Sequence, residues 1–188
     1  MKKSSMGVIV IIIVLVIIAI LMMGSYNGMV SKQENVESSL SDLDVMLQRR
    51  ADLIPNLVST VKGYTSHETE IIDKITEARS NLVNANSVEE KSKANDELSK
   101  SLNALMVVVE NYPDLKSSDN FKQLSDELAG TENRIAVARK DYNSAVKTFN
   151  TTIKKFPNNM LAGMFGFEKG TYFEASEQSS EVPSVSFE

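Results

Sequence analysis

The run VIVIIIVLVIIAILMM, Val8 to Met23, limits what this chain can fold into more than any other feature. From Met6 to Gly24 no polar side chain occurs. Coiled into an α-helix, that stretch would be roughly 28 Å long, against a hydrocarbon core of about 30 Å. Many of its residues are β-branched, which elsewhere favours strand. Length and the lack of alternation decide for a helix, because lipid offers no partner to a backbone N–H or C=O. An apolar surface on every side, with no polar stripe, argues against an ordinary core helix.

A cleaved secretory signal is the rival reading. It needs a small-residue cleavage site, and the AILMMGSY end offers Met22 and Met23 there. The segment is therefore read as an uncleaved anchor. Lys2 and Lys3 precede it; Lys32, Glu34 and Glu37 follow it. The positive-inside bias places the N-terminus in the cytoplasm and the body of the protein on the extracytoplasmic side of the cell membrane, crossed once. The expected organisation is a short cytoplasmic N-terminus at 1–7, a transmembrane anchor at 8–24, a helical bundle domain at 26–157 and an acidic C-terminal tail at 158–188.

The rest of the chain reads as helices. From Tyr26 to about Tyr64, apolar residues recur at Val36, Leu40, Leu43, Leu47, Ile54, Leu57, Val61 and Tyr64. Steps of four and three make a packed seam. Gly24, Ser25 and Gly28 weaken the junction with the anchor and allow a bend there. Thr65-Ser66-His67-Glu68 has capping-box spacing and predicts a second helix carrying Ile71, Ile75, Ala78 and Leu82. Ser87 with Glu90 caps a third, with Ala94, Leu98, Leu102, Leu105, Val109 and Tyr112, stopped by Pro113. A fourth starts between Ser117 and Asn120. Its seam is Phe121, Leu124, Leu128, Ile135, Ala138, Tyr142, Ala145, Phe149, Ile153 and Phe156, and Pro157 ends it. The fold class is all-α: the anchor helix, then an antiparallel bundle of about four helices, two of them long. In the tail, MLAGMFGFEKGTYF has enough Met and Phe to dock on a groove. EASEQSSE reads as solvated and mobile. PSVSFE alternates and could add as a strand to something else, although a frayed terminus is the plainer reading.

Composition removes several chemistries. Twenty Lys+Arg against 25 Asp+Glu give a net charge of -5, with no dense basic cluster, so nucleic acid is not an expected partner. With no cysteine there is no disulfide, thiolate zinc site, cysteine nucleophile or lipoprotein anchor. The single histidine, His67, lies in SHETE. A helical zinc protease needs a second histidine where Ile71 stands. GMFGFEKG follows a helix and lacks phosphate-loop spacing. Asn150-Thr151-Thr152 matches a glycosylation sequon, but on a predicted helix. Glu89-Glu90 and Asp126-Glu127 look like solvated faces, and no nucleophile, base and orienting group can be assembled. No enzyme activity, cofactor or metal is expected.

LQRRADLIPNLV, Leu47 to Val58, is the unusual stretch. A twin arginine after the apolar run is wrongly placed for an export signal. Arg50 falls where the seam skips a hydrophobe, which suggests an arginine paired with a carboxylate on a facing helix and fixing register. Pro55 lacks a donor, so the carbonyl of Ala51 loses its helical partner, at a typical cost of ~3 kcal/mol. The seam resumes in phase at Leu57, so the helix should bend and continue. Arg49, Arg50, Pro55 and Asn56 are the candidate structural or partner-binding residues.

Several strings then stand in order along most of the chain: YNGMV at Tyr26, LQRRADLIPNLVSTVKGY at Leu47 and ITEAR at Ile75, then NYPDLKSSDNFKQLSDELAGTENRIAVARKDYNSAVKTFN from Asn111, FPNN, FGF, YFEA and PSVSF. In these the chain resembles the LemA family of bacterial membrane proteins. One departure is Leu40, where the family pattern implies tryptophan. The resemblance implies an N-terminal anchor, a helical bundle, no established enzymatic activity and a protein partner at the envelope, with a membrane protease as a candidate. The leading expectation is a non-enzymatic scaffold or adaptor of the cell envelope. The alternative is a regulator or sensor subunit of a membrane enzyme, and a carboxylate-based hydrolase comes last. Expected contacts are membrane lipid through 8–24, that protein partner, and a second copy of the chain.

Overall fold

A computed structural model describes residues 2–65 and 68–174, with side chains from residue 7. The readings on Ser66, His67 and residues 175–188, including the PSVSFE strand, lie outside the described residues. Among those described, the chain is all-α and has no strand: α1 (Lys2–Lys62), α2 (Thr69–Asn84), α3 (Val88–Val109), α4 (Pro113–Ser117), α5 (Asp119–Lys154) and α6 (Asn158–Phe165). The chain divides into two compact units, Met1–Ser39 with Ser144–Gly170, and Leu40–Asn143 with Thr171–Glu188. Helices α1 and α5 each contribute to both.

The anchor and the first bundle helix are one element. α1 runs through Gly24, Ser25 and Gly28 without a break. An added Cβ at Gly24 or Gly28 would meet nothing within 4 Å, so no packing contact bends the helix there. Glycine weakens a helix by about 1 kcal/mol but, unlike proline, removes no hydrogen bond. The apolar part of α1 near the N-terminus is long and apolar enough to cross a membrane, and none of it is buried in the protein.

In the first unit, Met29 of α1, Phe149 and Ile153 of α5, and Leu161 and Ala162 of α6 form a buried cluster, with Met22, Val36 and Phe167 packed against it. Of the Met- and Phe-rich segment, Leu161 and Ala162 are buried here and Phe167 packs against them, while Met160, Met164 and Phe165 are exposed. α6 ends on Gly166, whose φ of 74° is left-handed. The N–H of Phe167 then reaches back to the carbonyl of Ala162 at 3.0 Å, a helix-ending pattern that favours glycine. Asn150 is 7% exposed. Its amide nitrogen donates to the Gly170 carbonyl and its oxygen accepts from the Gly170 N–H, both at 2.9 Å. The sequon asparagine is thus consumed inside the fold. Phe156 departs from its expected seam place: α5 stops at Lys154, and the ring is 81% exposed.

In the second unit, α1 buries Leu43, Leu47, Ala51, Ile54, Leu57 and Val61. α2 and α3 pack together. Ile72, rather than the expected Ile71, joins Ile75, Ala78 and Leu82 inside. Ser87 and Glu90 form the predicted capping box of α3. The Thr65–Glu68 box does not form. The Thr65 hydroxyl donates to the Val61 carbonyl and the Glu68 carboxylate accepts from the Tyr112 hydroxyl, so both groups are occupied elsewhere. Tyr64 lies past the end of α1 and is exposed. Pro113 does not merely stop α3; it opens α4 at the first helical position, where its missing N–H costs nothing.

After α6 the described residues form neither helix nor strand. Phe173 is fully buried in this unit. Asn143 holds it by donating to its carbonyl and accepting from its N–H, both at 2.9 Å, while the Tyr142 hydroxyl donates to the Thr171 carbonyl at 2.7 Å. Replacing Asn143 with alanine strands both backbone groups of a buried residue. The expected loss is ~1–3 kcal/mol, read as a lower melting temperature of the detergent-solubilised chain. An unchanged melt would show that the strap contributes nothing.

Burial pushes the Tyr142 phenol above its ordinary range, and Asp44 adds to the rise. A raised folded pKa means that the contribution is complete below the unfolded value of about 10 and is lost as pH climbs through the folded value. Alkaline unfolding should therefore be less steep in Tyr142→Phe than in the parent, measured by helical signal between neutral and strongly alkaline pH.

Candidate functional site

Leu43, Leu47, Arg50, Ile54, Leu57 and Val61 keep the steps of four and three without a gap, so Arg50 occupies a core position of the α1 seam. It is 4% exposed. Its Nη1 donates to Asn95 Oδ1 of α3 at 2.7 Å and lies 2.7 Å from Glu132 Oε2 of α5. The Glu132 contact is an ion contact outside hydrogen-bonding geometry, and the Glu132 side chain is about half exposed. Arg50 Nε and Ser125 Oγ are buried without a hydrogen-bond partner. Burial lowers the Arg50 pKa, while Glu132 and Asp96 act to raise it. A guanidinium remains charged regardless, so the charge has to be accommodated inside. Burial raises the Asp96 carboxyl, against the pull of Arg139, Lys100 and Arg50.

Pro55 is exposed, and α1 continues through it. The Ala51 carbonyl that it orphans is not free for a ligand. Arg79 of α2 donates to it from Nε at 2.8 Å. Asn56 is exposed, and its own carbonyl accepts from the Thr60 hydroxyl at 2.9 Å. Arg49 is exposed beside a shallow charged depression with Asp126, Glu127 and Arg134 of α5. Residues seven apart share a helix face, so Arg49 and Asn56 face outward together while Arg50 points inward. The four candidates do not form one site: one belongs to the interior, three to the surface.

Arg50 and Glu132 also line a cavity of about 310 Å³ with Leu57 of α1, Leu102, Leu105 and Met106 of α3, and Ser125 and Leu128 of α5. Its lining is mostly apolar, with Ser99 and Asn103 of α3 as further polar members. Lys91 of α3 holds both carboxylate oxygens of Asp44 on α1, at 2.8 and 2.7 Å. Among the described residues no three His, Asp or Glu groups are placed to hold a metal ion. The arrangement cross-links helices α1, α2, α3 and α5.

The sequence model of the LemA family matches residues 39–187. The chain belongs to the LemA family. Magnetosome protein MamQ 2 of Paramagnetospirillum magneticum is 32% identical over 182 residues, covering 83% of this chain and 66% of that relative. Magnetosome protein MamQ of Magnetospirillum gryphiswaldense is 29% identical over 174 residues, covering 79% and 64%. Protein LemA of Metamycoplasma hominis is 29% identical over 160 residues, covering 82% and 71%. The chain spans just under two thirds of the length of these magnetosome relatives. With the N-terminal apolar helix, LemA membership makes this a LemA-like, membrane-associated protein.

Four residues at the centre escaped sequence reasoning: Arg79, Asn95, Asp44 and Glu132. Only Arg79 left a signal. An orphaned Ala51 carbonyl requires a donor, and a long cationic side chain on the next helix can supply one. Arg79→Met should cost ~1–3 kcal/mol, the usual range for stranding a buried polar group. In a Pro55→Ala background, residue 55 regains an N–H for Ala51, and the same change should cost appreciably less. Denaturant melts of the four-member cycle would measure the coupling; strict additivity would sever Arg79 from the proline.

Proposed function

We propose that this protein is a non-enzymatic, membrane-anchored scaffold or adaptor of the bacterial cell envelope, with its N-terminus cytoplasmic and its helical bundle extracytoplasmic. The observation that carries the reading is the use made of the polar groups around Arg50. Arg50, Asn95, Glu132, Arg79, Asp44 and Lys91 serve one another or the backbone across helices. Groups spent on helix registry leave the exposed face around Arg49 and Asn56 as the surface for a protein partner. The apolar N-terminal part of α1 supplies the anchor, and Lys2 and Lys3 ahead of it support the orientation.

Photocrosslinkers at Arg49 and at Glu181, in intact membranes, test the partner. One dominant heterologous protein supports the adaptor reading; crosslinks only to a second copy, or none at all, count against it. The absence of native cysteine makes orientation testable by single-cysteine labelling. In intact cells Val107→Cys should react with a membrane-impermeant maleimide and Lys3→Cys should not, and the reverse pattern would invert the topology.

A regulatory subunit of a membrane enzyme, such as a protease, is the second reading. It is favoured by the acidic tail, where Glu177, Glu181 and Glu188 stand without a basic residue between them. Removing Glu177 to Glu188 should then change the partner's turnover without changing the bundle's melt; unchanged turnover would reject the tail as the contact.

A further inference from the structure

The outer face of α6 is apolar where a water-facing helix would be polar. Met160 and Met164, one turn apart, are 64% and 67% exposed, and Phe156 just ahead of the helix is 81% exposed. The inner face is apolar as well, with Leu161 and Ala162 buried in the cluster of the first unit. A helix apolar on opposite faces belongs inside a protein or in lipid.

Its position says which. The Tyr26 ring meets Phe165 with centroids 4.9 Å apart and Phe167 at 5.7 Å. Met22, within the apolar run itself, packs against the same buried cluster. At 1.5 Å of rise per residue, Tyr26 stands only about 3 Å beyond Gly24. The contacts with Met22 and Tyr26 put α6 at the end of the apolar run, and a helix lying on a bilayer sinks its apolar face about 5–10 Å into the headgroup and acyl boundary. Lys154 and Lys155, exposed at the end of α5, precede Phe156 and would meet anionic headgroups.

We propose that α6 is an interfacial helix: Phe156, Met160 and Met164 enter the headgroup–acyl boundary of the bilayer that residues 8–24 cross, with Tyr26 and Phe165 beside them at the same depth. The proposal rests on the anchor reading above, and its test separates the two. A chain without cysteine accepts single labels cleanly. Met160→Cys and Met164→Cys would carry an environment-sensitive fluorophore on the full chain, reconstituted at high lipid-to-protein ratio in vesicles of phosphatidylcholine and phosphatidylglycerol. Ile17→Cys reports the span, and Val107→Cys, 71% exposed on α3 of the second unit, serves as the reference. Spin-labelled lipids then quench by depth.

The expected result is quenching at positions 160 and 164 that is at least roughly twofold stronger with the spin label near the headgroup than at the chain end, the signature of shallow burial. Position 17 should show the opposite preference, and position 107 little quenching. If 160 and 164 behave like 107 while 17 is quenched deeply, the interfacial helix is wrong and the anchor stands; that is also the outcome if a second copy or another protein covers this face. If 17 is not quenched, both fail. Glutamate at Met160 and Met164 together gives a second readout. It should leave the helical signal of the detergent-solubilised chain intact and shift a probe at position 156 (Phe156→Cys) from quenched to unquenched. Persisting quenching at 156 would overturn the proposal.

Discussion

An arginine cannot shed its charge at any ordinary pH, so placing Arg50 in the α1 seam obliges other helices to bring oxygen to it. Asn95 and Glu132 do so from α3 and α5, each at 2.7 Å. A shift of either helix that carried Asn95 or Glu132 away would leave the charge without that oxygen. A purely apolar seam would tolerate a slip of one heptad with little loss; a buried guanidinium would then face leucines, at a cost of several kcal/mol. The pair is therefore weak support for net stability and strong support for uniqueness, the role that polar seam residues have in coiled coils.

The same logic operates on the backbone. Pro55 removes a donor from the interior of α1, and Arg79 replaces it from α2. Past α6 the chain has no helical ladder of its own, yet its backbone runs against α5. Asparagines supply the missing partners, each matching one donor and one acceptor of a single residue: Asn143 with Phe173, and Asn150 with Gly170. An amide side chain suits this task because it presents both functions in one plane. Alanine would leave two groups unmet, and a carboxylate would repel the carbonyl.

Periodicity made the helices legible. Seam residues such as Leu43, Leu47, Leu98, Leu105 and Ile135 were readable because apolar spacing is a local property. Errors gathered where local signals competed with distant partners. The Thr65–Glu68 pattern is a sound local capping box, but Tyr112, far along the chain, holds the carboxylate. Phe156 fits the α5 spacing, but the helix ends before it. Glycines before the bundle suggested a bend, yet no packing demanded one. At the candidate site the seam gap at Arg50 was visible, while the identity of its partners was not. Asn95 and Glu132 are ordinary polar residues of amphipathic helices until the fold brings them together.

Most polar groups around Arg50 serve one another or the backbone; Arg50 Nε and Ser125 Oγ, on the cavity wall, are exceptions. Arg50 and Arg79 answer internal needs, and the Ala51 carbonyl that might have held a ligand is already bonded. The exposed residues of the same stretch have no such employment. Arg49 and Asn56 stand on one outward face of α1, with Asp126, Glu127 and Arg134 of α5 beside Arg49. The mixed charges there would suit the protein partner proposed above, if its own charges complement both signs. The buried half of RRADLIPN builds the support, and the exposed half is what that support presents.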